Sequence, residues 1–221
     1  MSTTKSETSE TLNPRPFQLV LASTSSYRRT LLGQLGIPFA AERPAYEEEH
    51  DLQMDPEALV VALALNKARS LMDRHPAALI LGSDQVAELD GQILGKPGTA
   101  HRAVEQLRAL SGRTHRLLTG VALVDAATGR CESCLDVQHM TMRPLGREQL
   151  EAYVRQDQPL DCAGAYKVEG PGIALFSSMK GEDYTGIIGL PLTRVVGLLE
   201  RFFSDPAWTP RMQPPGMALL G

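Results

Sequence analysis

Two stretches of this sequence carry side chains suited to chemistry on a polyanion. The first is Ala77-Ala-Leu-Ile-Leu-Gly-Ser-Asp-Gln-Val86. Leu79, Ile80 and Leu81 form the continuous apolar run of a strand buried on both faces. Gly82 and Ser83 let the backbone pass close to a neighbour, and Asp84 is expected where that strand reaches a surface, the place where open α/β sheets collect ligands. Asp90-Gly91 reads as a hairpin turn that returns the chain to Gly95-Lys96-Pro97 and brings a cation to the same region. A carboxylate with a lysine in reach suits metal or phosphate chemistry; the alternative is an aspartate that caps a turn.

The second stretch is Ser23-Thr-Ser-Ser-Tyr-Arg-Arg29, directly after the apolar run Phe17–Ala22. Leu31, Leu32 and Leu35 then recur at helical spacing, and Gly36 stops the helix. A strand, a hydroxyl-rich loop and a helix start present free N–H groups beside two arginines, an arrangement that attracts anions. It lacks the glycines of a Walker loop. Two further features sit between these stretches. Glu47, Glu48, Glu49, His50 and Asp51 form an acidic run, either a solvated loop or a source of an oxygen ligand for Mg²⁺. Lys67 lies on the apolar stripe Val60, Leu63, Ala64, Ala68, Leu71 of the next helix, where it either snorkels to solvent or is directed inward to phosphate.

The elements that must position these groups follow from the same patterns. Asp55-Pro56-Glu57 opens a helix expected to run to about Arg74. Thr99 starts another, with Ala103, Val104, Leu107 and Leu110 on one face. Strands are expected over His115–Asp125 and Glu132–Met142, joined by a hairpin at Gly129. A short helix is expected over Gly146–Gln156, and Asp161–Gly170 is a small-residue loop that a ligand can approach closely. Ile173–Phe176 is expected as a strand, Gly181–Gly189 as a loop and Pro191–Phe203 as the last helix. Residues 1–16 read as a disordered tail with neither a secretory nor a transit signal, and the Pro-rich 204–221 as a second tail.

Composition excludes several classes. With a net charge of −4 the 221 residues create no global basic field for nucleic acid. No apolar run reaches the roughly 18 residues of a membrane span. The three cysteines suggest reduced thiols in the cytoplasm. Cys131-x-x-Cys134 is not read as a zinc pair, because on a strand positions i and i+3 face opposite sides.

Taken in order, Ser23-x-Ser25-x-x-Arg28-Arg29-x-x-Leu-Leu, Glu47-Glu48, Lys67, Gly82-Ser83-Asp84-Gln85 and Gly95-Lys96-Pro97 resemble the Maf family of nucleoside triphosphate pyrophosphatases. Ser111-Gly112…His115, Thr119-Gly120, Ala163–Tyr166 through Glu169-Gly170, and Gly189-Leu190-Pro191 extend the resemblance over about residues 18–203. It implies an α/β fold: an elongated mixed sheet with flanking helices and two lobes around a central cleft, the domain spanning 17–203. It also implies hydrolysis between the α and β phosphates of a nucleoside triphosphate, with a divalent cation, Mg²⁺ or Mn²⁺, as cofactor and a dimer as assembly.

Residue by residue, the resemblance puts the catalytic carboxylate on Asp84 and the metal site on Glu48 and Asp84. Phosphate contacts fall on Ser23, Ser25, Arg28, Lys67 and Lys96, and base selection on Tyr27, Gln85 and Glu169. Tyr27 and Gln85 are closer to the YceF-like branch, which acts on 7-methyl-GTP, than to the dTTP/UTP branch. Tyr27 replaces that branch's Trp, Ser26 its Pro, and Asn66 a common Glu. The physics agrees: an aromatic face attracts a cationic methylated guanine by roughly 0.5–2 kcal/mol, and Glu169 suits its N1 and amino edge. The alternatives are a dTTP/UTP pyrophosphatase and a nucleotide-binding regulator of cell division, suggested by the family's septum-inhibition name.

Overall fold

The computed structural model describes residues 18–46 and 54–203. Both expected tails and the acidic run 47–51, Glu48 included, lie outside the described residues. In chain order the elements are β1 (Leu19–Ala22), α1 (Ser26–Gly33), β2 (Phe39–Glu42), α2 (Pro56–Arg69), β3 (Leu79–Leu89), β4 (Gln92–Leu94) and α3 (Ala100–Leu110). Then follow β5 (Thr114–Asp125), β6 (Cys131–Met142), α4 (Arg147–Asp157), β7 (Phe176–Lys180), α5 (Thr185–Ile188) and α6 (Leu192–Phe203). The strands form one mixed sheet in the order β2-β1-β3-β5-β6-β7, with β4 added to β3. β1 is parallel to both β2 and β3, and the remaining pairs are antiparallel.

β3 organises the sheet. Its first residues, Leu79–Gly82, pair with β1, and its last, Ala87–Leu89, pair with β4 on the same edge. Between these partners, Ser83 to Val86 are paired on the β5 side only, so the sheet forks there. This corrects the expectation for Asp84, which stands inside an eleven-residue strand and not at its end. What ends beside it is β1. The ladder beyond Ala22 is missing on one side, and that is where a ligand can reach the backbone.

Period-2 alternation assigns the two faces. Leu19, Leu21, Leu79 and Leu81 pack under α1 and α6, while Val20, Ala22 and Ile80 pack under the end of α2. Further along, Ala87, Leu89 and Leu117 are covered by α3 and α4. One face is thus covered by two separate helix pairs, which make the two lobes, and the gap between them is the cleft. α2 spans the opposite face, with Val60 on Val86 and Leu118.

α2 can lie so close because two facing residues of the register pairs beneath it have no side chain. A Cβ at Gly82 would stand 2.0 Å from the Ala64 carbonyl oxygen, and one at Gly120 would stand 2.2 Å from that of Val60. Gly120 pairs with Asp84 itself.

Asp55 caps α2 through the N–H groups of Glu57 and Ala58. The helix ends at Arg69, short of the expected Arg74, because the Ser70 hydroxyl bonds the Lys67 carbonyl and the chain tightens into i→i+3 turns through Arg74. β2 was not expected, since its four residues hold little alternation. The expected strand Ile173–Phe176 is instead a 3-10 turn over Pro171–Leu175 that buries Leu175, and pairing begins only at Phe176. Among the described residues no helix is long and apolar enough to cross a membrane.

Candidate active site

A cleft of about 490 Å³ opens at the fork of β3, a volume ordinary for a small-molecule site. One wall is the segment Ala22–Arg28. Arg43, Pro44 and Tyr46 line the cleft after β2, Lys67 from α2, and Lys96 at the foot of β4. Another wall is Asp161–Ala163 with Tyr166–Glu169, and Gln85 and Ile187-Ile188 close the floor.

The hydroxyl-rich loop is built as its sequence suggests. Ser25 caps α1 by accepting from the Arg28 N–H at 3.3 Å, and Ser23 accepts from the Ser25 N–H at 3.1 Å. Both hydroxyls accept from backbone, so their own hydrogens remain to be donated to a ligand oxygen. Arg28 reaches across the fork. Its Nε donates to the Gly189 carbonyl at 2.8 Å and its Nη1 to the Ser83 carbonyl at 2.9 Å, one of the backbone groups left by the departing β1. The Ser83 hydroxyl donates to the same Gly189 carbonyl. Gly189 adopts φ +108, a left-handed backbone that an L side chain would strain, and this turns its carbonyl toward both donors. Arg29 is exposed and outside the cleft wall.

Lys67 does not snorkel to solvent. It is buried and its Nζ lies 2.5 Å from Asp84 Oδ1, which is buried too. Each charge makes the burial of the other tolerable. Lys67 itself forms part of the cleft wall, whereas Asp84 lies just behind it. Lys96, at the foot of the β4 hairpin, also lines the cleft and is exposed. Gln85 faces the floor, but its amide nitrogen is committed to Thr119 Oγ1 at 2.9 Å and the Gly186 carbonyl at 2.7 Å.

Tyr27 and Glu169 both line the cleft, and Glu169, Asp161, Cys162 and Lys167 lie close enough to the Tyr27 phenol to act on it. Burial pushes the Tyr27 phenol above its ordinary value; Lys167 opposes this, while Cys162, Glu169 and Asp161 add to it. The ring is therefore a neutral, half-exposed aromatic surface beside two carboxylates. Burial, with Asp161 adding to it, pushes the Cys162 thiol up to about 12, so it is no nucleophile at neutral pH. Arg43, Tyr46 and Asp161 had no individual role in the sequence reading. Arg43 and Tyr46 follow the unexpected strand β2, and only its parallel pairing brings them here.

The structure tests the fit of a divalent cation by donor chemistry. Asp84 is a hard oxygen donor beside a cation-lined wall, and Mg²⁺ takes one or two carboxylates plus substrate phosphate and water. Among the described residues no group of three or more His, Cys, Asp or Glu is placed to hold a metal. Asp84 supplies one such carboxylate, and substrate oxygens and water would add to the set.

His115 Nε2 lies 2.7 Å from the Tyr166 hydroxyl, while Nδ1 is buried with no hydrogen-bond partner among the described residues. Burial pushes the imidazole down to about 4, against a weaker opposing pull from Glu88. In the unfolded chain it titrates near 6.5. The folded value is depressed, so this contribution is complete above pH 6.5 and is lost as pH falls toward 4. By pH 5 the loss amounts to about 2 kcal/mol. The Tm gap between wild type and His115→Gln is expected to narrow from pH 7.5 to pH 5. A constant gap would show that the imidazole takes up its proton without unfolding cost.

The mixed sheet and its forked, anion-receptive cleft define an α/β nucleotide-handling fold. Residues 18–202 match the model described as Maf-like protein, and the chain belongs to the Maf family. It is 50% identical to the 7-methyl-GTP pyrophosphatase of Pseudomonas savastanoi pv. phaseolicola, covering 82% of this chain and 94% of that protein. It is 44% identical to the protein of that name from Syntrophotalea carbinolica, covering 83% and 94%. A third, from Nitrosococcus oceani, is 44% identical over 86% and 95%.

Proposed function

We propose that this chain is a nucleoside triphosphate pyrophosphatase that hydrolyses 7-methyl-GTP to 7-methyl-GMP and pyrophosphate. The observation that carries the reading is the buried Lys67–Asp84 pair at the fork, set between a cation-lined wall and an aromatic, acidic end. The names of relatives that align over nearly their full length support the same substrate.

At the acidic end, the neutral Tyr27 ring stacks on the methylated purine, whose positive charge suits the negative charges of Glu169 and Asp161. At the other end, Ser23, Ser25, Arg28, Lys67 and Lys96 receive the phosphate chain. Asp84 takes a proton from water as the water oxygen bonds to the α phosphorus. The bond from that phosphorus to the α–β bridging oxygen breaks, and pyrophosphate leaves with the electron pair. Lys67 holds the Asp84 carboxylate in place and meets the charge that grows on the leaving group. Asp84, with Glu48, would hold Mg²⁺ or Mn²⁺, which when bound polarises the α-phosphoryl group.

Pyrophosphate release from 7-methyl-GTP, GTP, dTTP and UTP tests the substrate. The methylated nucleotide is expected to be hydrolysed fastest, and faster turnover of dTTP or UTP would overturn the assignment. Tyr27→Ala is expected to lower kcat/KM for 7-methyl-GTP by about tenfold, the scale of a stacked cation, with a smaller loss for GTP. Equal losses on both would mean that the ring does not sense the base charge.

A further inference from the structure

Two of the cations expected to bind phosphate are already engaged. Arg28 donates from Nε and Nη1 to the carbonyls of Gly189 and Ser83, and Lys67 is paired with Asp84. Arg43 differs from both. It lines the cleft, is exposed, and its guanidinium makes no hydrogen bond or ion pair with a described residue.

Its placement is set by the sheet. Ala22 pairs with Glu42 in the parallel β1–β2 ladder, so the next residues, Ser23 and Arg43, emerge side by side at the same strand ends. Pro44 follows Arg43 and restricts it to extended backbone, which stiffens the approach. The neighbouring carboxylate does not compete for it. Glu42 receives Arg74 at 2.5 Å through Oε1 and His75 at 2.7 Å through Oε2.

The order of elements along the cleft gives the direction. The segment Asp161–Glu169 begins beside the foot of β4, where the Gly98 N–H donates to the Leu160 carbonyl, Asp84 stands in the fork between β4 and β1, and Arg43 follows β2 on the outer side of β1. A nucleotide laid with its α phosphorus near Asp84 sends its outer phosphates toward Arg43.

We propose that Arg43 binds the β and γ phosphates of the substrate and contacts the pyrophosphate formed from them. This rests on the function proposed above for the direction of the nucleotide, but not on the identity of its base. An exposed guanidinium suits the role, since it grips a phosphate through two parallel N–H bonds yet leaves the product free to depart.

The test uses the full chain with Mg²⁺, and calorimetric binding of inorganic pyrophosphate and of 7-methyl-GMP to wild type, Arg43→Gln and Arg43→Lys. If another nucleotide is hydrolysed fastest, its monophosphate replaces 7-methyl-GMP. Arg43→Gln is expected to weaken pyrophosphate binding about tenfold and to raise KM for the triphosphate, while monophosphate binding stays within about twofold. Arg43→Lys is expected to recover part of the loss, since it keeps the charge but not the paired donors. Unchanged pyrophosphate binding in Arg43→Gln overturns the proposal, as does an equal loss for the monophosphate. Weakened pyrophosphate binding in a protein that hydrolyses no nucleoside triphosphate would leave Arg43 as an anion site and remove the proposed function instead.

Discussion

Asp84→Asn is expected to lower kcat by about three orders of magnitude while leaving nucleotide binding within a few-fold of wild type. General-base catalysis contributes roughly 10²–10⁴, and the amide cannot take the proton from water. Its oxygen can still accept from Lys67 Nζ, which in the wild type lies 2.5 Å from Asp84 Oδ1, so the pair keeps its shape and the cation is not left alone in a buried site. Pyrophosphate release measured alongside equilibrium binding of a non-hydrolysable triphosphate separates the two effects. Turnover within tenfold of wild type would remove Asp84 from the reaction. Loss of binding in step with turnover would make it a structural support of the phosphate wall.

Gly82→Ala is expected to cost both stability and turnover, although residue 82 does not line the cleft. The new methyl would stand 2.0 Å from the Ala64 carbonyl oxygen and 3.0 Å from the Ala68 nitrogen, both backbone atoms of α2. A flexible side chain could rotate away, but a helix backbone can only be displaced. Overpacking of this kind costs roughly 1–3 kcal/mol, sometimes more, which in a chain of this size is a fall in Tm of roughly 2–12 °C. Lys67 lies on α2 between Ala64 and Ala68, so lifting the helix draws its ammonium off Asp84. A misplacement of about 1 Å can cost roughly a hundredfold in rate. Gly197→Ala is the control. A methyl there meets no atom of a described residue within 4 Å, and a helical alanine is expected to be neutral or stabilising by up to about 1 kcal/mol. Thermal melts and pyrophosphate release on both variants decide it. A Gly82→Ala protein with wild-type Tm and kcat would show that α2 is not held against β3 as described.

Local patterns were sufficient wherever one segment's periodicity met a single neighbour. The caps Ser25, Asp55 and Thr99 stand where their side chains satisfy helix N–H groups. The stripe Ala103, Val104, Leu107, Leu110 is buried, and the β5–β6 hairpin turns at Gly129 with positive φ. Lys67 on an apolar stripe was a genuine signal, because a buried ammonium requires a buried partner. The 3-10 turn over Pro171–Leu175 was not legible, since a short apolar run has the same period whether it pairs or folds back on Tyr153 and Lys167.

The sequence by itself determined the chemistry available to this protein: a carboxylate following a continuous apolar run, a hydroxyl-rich helix start with arginine, a lysine on an apolar stripe and an aromatic in the helix-start loop. Those properties belong to residue type and local spacing. Only the tertiary structure decided that β1 stops beside Asp84 while β3 runs on, that Arg28 is bound into the fork, and that Arg43 emerges next to Ser23. These depend on which strands pair and where one ends, and that is fixed by contacts between residues far apart in the chain.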